Sequence, residues 1–544
     1  MSSSITPTKI TRNHSATRRQ KLTLIAMCLA LGMSALDDTV VNMALPSLQA
    51  SLSMSVSGLQ WILNAYLLSI ACLVLPAGSL GDIYGRRKVF LTGLSIFVVA
   101  SVLVGMATSG QLAIIGRLLQ GIGAAALLPS TLAILSDAYL DPKERTKAIG
   151  LWSGVAGLAL IVGPALGGVL VDTLSWRSIF YLNIPLGVLT FWLTLRAVPP
   201  TAAPRSYHPS SRSVLSKQID LPGMGLSIVA LASFIVLLMG FDGVSVRSLL
   251  LLLLSVGSAI AFIFIESVSA RPMLPLPLFR SKTFAAAFTT NALLMFMLVS
   301  LLFMFSLFLQ QVQGYSATAA GLRFLPLNAA FILASVFSGY GSALLGWRWS
   351  ITAGFMIAGI AVFSLVSVQA DTSYSSLLSR LILVGFGVGF TLSPLTAAGM
   401  SSASANFSGI AAALMNTSTR LGGALGIAIQ GGVLTAQTGS TLEISLQRFN
   451  LESQARQTIV AEAISHGATR PTVLIQQIAN TDALTLQQVE QLIHHAFVSG
   501  LRSSLWVSAI ALFIGAGISA IYIGMAATGT EAISAGAKSK RIST

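Results

Sequence analysis

Long apolar runs alternate along the chain with short polar turns. Crossing a bilayer core takes roughly 20 apolar residues at about 1.5 Å each. Runs of that kind lie near 22–46, 59–80, 89–107, 111–136, 148–171, 178–197, 221–241, 248–266, 284–309, 322–345, 350–369, 377–398, 408–434 and 501–527. The pattern predicts an all-α integral membrane protein with fourteen transmembrane helices. Two stretches break the rhythm. Residues 198–218 are rich in Pro, Ser and Arg and read as a linker. Residues 436–500 are polar, with helical periodicity around 451–466 and 484–499, and read as an outer loop bearing one or two surface helices.

The chain also repeats itself. Gly78, Gly85 and Arg87 recur as Gly339, Gly346 and Arg348. Arg117, Gly121 and Gly123 recur as Arg380, Gly385 and Gly387, and Gly150, Gly163 and Gly167 recur as Gly409, Gly422 and Gly426. Spans 1–6 therefore correspond to spans 9–14, and spans 7 and 8 are an insertion. The expected organisation is a basic tail (1–21), a six-helix half (22–197), the linker (198–218), two inserted helices (219–270), a second six-helix half (284–527, including 436–500) and a short tail (528–544). Asp82 becomes Ala343, so the repeat loses that charge in its second copy.

Composition agrees with a membrane protein: 54% of residues are hydrophobic and 9% charged, against roughly 25% charged in soluble domains. The net charge of +15 does not point to nucleic acid, because most bases fall in short loops on one side. Those loops and tails hold Lys9, Arg12, Arg18, Arg19, Lys21, Arg86, Arg87, Lys88, Lys143, Arg145, Lys147, Arg348, Lys538, Lys540 and Arg541 among others. This bias places both termini in the cytoplasm of a cell membrane. The first run lacks a small-residue cleavage site and reads as a retained helix. Cys28 and Cys72 fall inside spans, with no disulfide or metal spacing. His494 and His495 are adjacent and do not share a helix face, so no metal is expected there.

The turn Gly78-Ser79-Leu80-Gly81-Asp82-Ile83-Tyr84-Gly85-Arg86-Arg87-Lys88 resembles the loop between helices 2 and 3 of the major facilitator superfamily. Leu36-Asp37-Asp38-Thr39-Val40-Val41-Asn42-Met43-Ala44-Leu45-Pro46 closely resembles a signature of its fourteen-span drug:proton antiporters. The segments 176–187 and 309–316 resemble two more. In span 5, Gly154, Gly163, Pro164, Gly167 and Gly168 resemble the antiporter motif, with Ala159 in place of its first glycine. Together these identify the chain as similar to EmrB/QacA-like multidrug exporters. The resemblance implies two six-helix halves around a central cavity and export of lipophilic small molecules in exchange for protons.

Charge inside a membrane is costly and usually faces a cavity or a partner. Asp37 lies about 13 Å, and Arg117 about 9 Å, from the outer ends of their spans, so they can pair. A pair of this kind serves either as a fixed structural bond or as a proton-coupling device. Asp38, one turn from Asn42, either widens cation preference or faces water. Arg420 lies near the middle of span 13, with three readings: anchoring, cavity electrostatics or pairing between halves. Relatives that take dications carry an acid in this span; here Asn416 and Arg420 stand instead. Met295, Phe296, Met297, Phe303 and Phe305 are candidates for an adaptable cavity lining. At the cytoplasmic ends of spans 2 to 5, Asp82, Arg86, Arg87, Asp137, Glu144 and Arg145 are candidates for a gate latch. Asp82 is the discriminating member, since an acid adds nothing to positive-inside orientation.

The expected partners are membrane lipids, protons and a lipophilic substrate, and 436–500 is the natural place either for a periplasmic adaptor or for a lid. An exporter of one endogenous metabolite, lipid or siderophore fits the same residues. An enzyme does not: there is no Gly-x-Ser-x-Gly, metal spacing or phosphate loop. No cofactor is expected.

Overall fold

The computed structural model describes residues 17–200, 220–239, 245–269, 274, 276–403, 408–449, 453–468 and 486–524. Most of the 1–21 tail and of the linker, the 528–544 tail and the middle of the 436–500 loop lie outside the described residues. Within them every regular element is helical. The first half comprises α1 (Arg18–Leu52), α2 (Val56–Tyr84), α3 (Arg86–Gly105), α4 (Gly110–Ala138), α5 (Pro142–Thr173), α6 (Trp176–Tyr181) and α7 (Asn183–Ala197). Next come α8 (Leu221–Met239) and α9 (Val246–Val268). The second half comprises α10 (Lys282–Leu307), α11 (Ala317–Arg323), α12 (Leu325–Leu365), α13 (Tyr374–Ser401), α14 (Ser408–Leu446), α15 (Ser453–His466) and α16 (Leu486–Tyr522). Polar caps set many of the starts. Thr17 and Gln20 form a reciprocal capping box on α1, and Asp141 accepts from the Lys143 and Glu144 amides ahead of Pro142.

Eleven helices among the described residues are long and apolar enough to cross a membrane. Three features separate this from the fourteen sequence runs. The runs at 322–345 and 350–369 are joined in α12, which breaks at Gly346 (φ 76°, ψ 164°). The apolar stretch of α8, Pro222–Leu238, is short. The third is α14, whose apolar run is interrupted by Asn416, Thr417, Ser418, Thr419 and Arg420. The outer loop also differs from its expected extent. α14 continues to Leu446 and α16 already starts at Leu486, so both flanks of 436–500 prolong neighbouring helices.

The repeat is geometric as well as sequential. Gly85 (φ 94°) turns the chain between α2 and α3, and Gly346 (φ 76°) turns it within α12; a residue with a Cβ is strained at both. Gly123 on α4 lies against Phe97 and Gly93 of α3, and Gly387 on α13 lies against Ala358 and Gly354 of α12. Gly167 on α5 packs on Val40 of α1, and Gly426 on α14 packs on Phe296 of α10. At each crossing a Cβ would strike the neighbouring backbone, so glycine is what lets these helices approach.

The halves meet unevenly. At the end remote from where α1 begins and α16 finishes, Gly168 of α5 lies against the Ala317 carbonyl, and Gly321 of α11 against the Pro164 carbonyl. Asp172 accepts the Ala317 and Thr318 amides (3.2 and 2.8 Å), and Asn328 donates to the Leu160 carbonyl (2.9 Å). Towards the other end, a Cβ on Gly157 would sit 3.6 Å from the Ile332 side chain, but one on Gly150, Gly154 or Gly339 would meet open space. Along the α5–α12 side the close contacts between the halves thus gather at the end remote from the termini. On the opposite side α8 covers the α2–α14 seam, with the Leu238 carbonyl 3.3 Å from where a Cβ on Gly432 would sit.

Candidate functional site

Near the middle of the first half, Asp37 of α1 meets Arg117 of α4 through Oδ2 and Nη1, with both side chains buried. A buried ion pair persists only when its remaining hydrogen-bonding capacity is met, and here it is. Asp37 Oδ1 accepts from Gln120 Nε2 (2.8 Å) and Asn183 Nδ2 (3.2 Å). Arg117 donates to Gln120 Oε1 (2.7 Å) and to the Ile62 carbonyl (3.0 Å), with its guanidinium 4.2 Å from the Tyr66 ring centroid. Ser101 accepts from both Gln120 and Asn183. The sequence reading left out these supporting residues. Two had signals: Gln120 follows Arg117 by three on one helix face, and Asn183 sits in the 176–187 signature.

The next residue on α1 behaves differently. Asp38 Oδ2 accepts from Arg420 Nη1 of α14 at 2.7 Å, a bond between the halves. Both side chains are partly open, 22% and 17% exposed. They border a cavity of ≈ 220 Å³ between the halves, lined also by Asn42, Tyr66, Arg117, Met295, Phe331 and Thr419 among others. Asp38 Oδ1 and Asn42 Oδ1 are buried and accept from no described protein group. Asn42 is further tied across the halves by Ser306, which donates to its backbone carbonyl (2.5 Å).

Two expectations for this lining need correction. Asn416 is exposed, bonds the Ala412 carbonyl of its own helix (3.3 Å) and does not reach the cavity; Thr419, three residues on, does. Of the proposed α10 lining only Met295 borders the cavity; Met297, Phe303 and Phe305 are fully buried in packing and Phe296 nearly so. The cavity-facing α10 residues are Met295, Leu298, Val299 and Leu302, a helical stripe offset from the aromatic one.

At the end of the termini, Arg86 bridges Asp82 (3.1 Å) and Asp137 (2.8 Å), joining α2, α3 and α4 around the Gly85 turn. Gly78 lies one helical turn before, near Pro129. The other candidates are elsewhere. Arg87 donates to the Leu195 carbonyl, Arg145 to those of Tyr139 and Leu140, and Glu144 pairs with Lys147. These ion pairs all lie within the first half. A recess of ≈ 470 Å³ beside Asp137, lined by Arg19, Gln20 and Pro199, lies apart from the seam between halves.

The glycines of α5 divide by position. Gly163 and Gly167 pack on Thr39 and Val40 of α1, and Gly168 on α11, while Gly154 faces open space. Pro164 lies inside a continuous α5, its carbonyl against Gly321.

This architecture is matched by a sequence model of the Major Facilitator Superfamily over residues 27–427. The chain belongs to the major facilitator superfamily. It is 33% identical over 500 residues, 91% of each chain, to the multidrug resistance protein Stp of Mycobacterium tuberculosis (strain CDC 1551 / Oshkosh). It is 28% identical over 501 residues, 91% of this chain and 90% of the relative, to the tetracenomycin C resistance and export protein of Streptomyces glaucescens. A solved bacterial homolog of the human lysosomal transporter Spinster matches in fold, with TM-score 0.66, 17% identity, and 93% and 98% of the two chains covered. The superfamily is one of membrane transporters, and this chain is a multi-pass membrane protein of that kind.

Proposed function

We propose that the protein is a secondary exporter of lipophilic small molecules that exchanges them for protons across the plasma membrane. The reading rests chiefly on the buried Asp37–Arg117 pair, of which Arg117 lines the cavity between the halves and Asp37 lies behind it. It is supported by relatives named for multidrug resistance and antibiotic export. In this reading fourteen spans cross the membrane, both termini are cytoplasmic, and the end of the α5–α12 seam nearer the termini opens to the cytoplasm. Substrate enters from there or from the inner leaflet. When the halves rock and the outer end opens, Asp37 separates from Arg117 and takes a proton. Return to the inward-open state restores the pair and releases the proton inside. The Asp82–Arg86–Asp137 cluster steadies the cytoplasmic ends of α2, α3 and α4 during this motion. Docking of a periplasmic adaptor belongs, in this reading, to the α14–α16 region.

The test is substrate-induced collapse of an imposed proton gradient in inside-out vesicles, with wild type and Asp37→Asn compared over a panel of cationic, anionic and neutral compounds. Collapse in wild type and none in the variant is expected. An Asp37→Asn protein that responds like wild type removes Asp37 from the proton path. A response to a single natural metabolite and to nothing else identifies a dedicated exporter.

A further inference from the structure

Asp38, Arg117 and Arg420 line the cavity and Asp37 lies behind them, so the wall and the layer under it carry a matched set of charges. Asp37 is neutralised by Arg117 and Asp38 by Arg420, so the four groups sum to zero. Arg420 cannot yield its place by losing a proton, because a guanidinium stays charged at any working pH. An organic cation entering the cavity therefore meets no net negative field. To reach Asp38 it has to break a 2.7 Å charge-assisted bond. The wall does offer acceptors. Asp38 Oδ1 and Asn42 Oδ1 lie one helical turn apart on α1, in residues that border the cavity, and both are buried without a protein donor. A buried acceptor left unmet keeps its desolvation penalty, so a ligand that supplies donors gains there. Around them the lining is mainly apolar: Leu63, Leu67, Leu160, Met295, Leu298 and Leu302.

We propose that Asp38, Asn42 and Arg420 form the selectivity element of this cavity. It takes uncharged or zwitterionic amphiphiles that bring hydrogen-bond donors to α1, and it excludes permanently charged organic cations because Arg420 already occupies Asp38, the one carboxylate among the described lining residues. The proposal rests on the reading of this cavity as the transport path and names the substrate class of that path.

The test uses two probes of one shape and opposite charge, tetraphenylphosphonium and tetraphenylborate. Equilibrium binding is measured to the purified full-length protein in lipid nanodiscs, with empty nanodiscs subtracted. Wild type is expected to bind both weakly, with little preference. Arg420→Gln frees Asp38 and is expected to bind tetraphenylphosphonium at least about tenfold more tightly. Asp38→Asn frees Arg420 and is expected to gain about tenfold for tetraphenylborate. The double variant Asp38→Asn/Arg420→Gln is expected to lose both preferences, and Arg420→Lys to stay like wild type. Two results overturn the proposal: wild type binding tetraphenylphosphonium as tightly as Arg420→Gln, or the gain surviving in the double variant. Should Arg420→Gln fail to fold, Asp38→Asn decides alone, and no gain for tetraphenylborate overturns it. Failure of proton exchange in vesicles sinks the transport mechanism without altering these binding ratios, so the two failures are distinguishable.

Discussion

Asp37 and Asp38 are neighbours on α1, and each holds an arginine, yet their surroundings are opposite. Asp37 bonds within its own half and is sealed by Gln120, Asn183 and Arg117. Asp38 reaches across to the other half, is 22% exposed and keeps one oxygen without a protein donor. A turn of about 100° per residue is enough to place one carboxylate inside a helix bundle and the next at its cavity. On the proposed reading, one helix holds a coupling charge and a recognition charge on adjacent residues without merging them. Motion between the halves strains the second pair directly, and reaches the first only through repacking of α1 against α4.

The largest separation between the two pairs is expected in stability. Arg117→Leu leaves a buried, uncompensated carboxylate and is expected to cost about 3–5 kcal/mol. Arg420→Leu leaves one that is 22% exposed at the cavity and is expected to cost less, about 1–3 kcal/mol. Thermal unfolding in detergent measures both, and equal losses would break the comparison. A second contrast lies along α5. Gly168→Ala forces α5 from the Ala317 carbonyl and is expected to cost about 1–3 kcal/mol. It should also expose a cysteine reporter placed at the buried Ala320 (Ala320→Cys) to labelling from outside. Gly154→Ala meets open space and should change neither. Asp172→Asn weakens the cap on α11 and is expected to raise the same labelling at a cost of about 1–2 kcal/mol. The smallest effect is expected at the other end. Asp82, 69% exposed in its pair with Arg86, should cost under about 1 kcal/mol when changed to Asn, visible chiefly as altered transport rate.

Much of this was written in the sequence because it depends on local pattern. Span-length runs give the helices, and the recurrence of Gly85 at Gly346 gives two matching turns. The matched depths of Asp37 and Arg117 make their contact geometrically available. What the sequence hid depends on rotation and on distant packing. The stripe of α10 that faces the cavity runs through Met295, Leu298 and Leu302, not through the phenylalanines, because a phase error of one residue turns a helix by about 100°. The same register effect brings Thr419 to the cavity and leaves Asn416 outside. Asp38 and Arg420 are 382 residues apart, and no spacing rule links them; pairing between halves was one of three readings for Arg420. Nor did a row of charges near the Gly85 turn reveal that only Asp82, Arg86 and Asp137 meet, since side-chain direction, not proximity in sequence, decides it.

The division of labour between the two carboxylates is tested most directly by counting protons moved per substrate exchanged in proteoliposomes, for wild type, Asp37→Asn and Arg420→Gln side by side. The account predicts that Asp37→Asn still binds substrate but moves no protons, while Arg420→Gln keeps the wild-type proton count and accepts a different set of compounds. Proton movement that survives in Asp37→Asn, or is lost in Arg420→Gln with its substrate set unchanged, would contradict it.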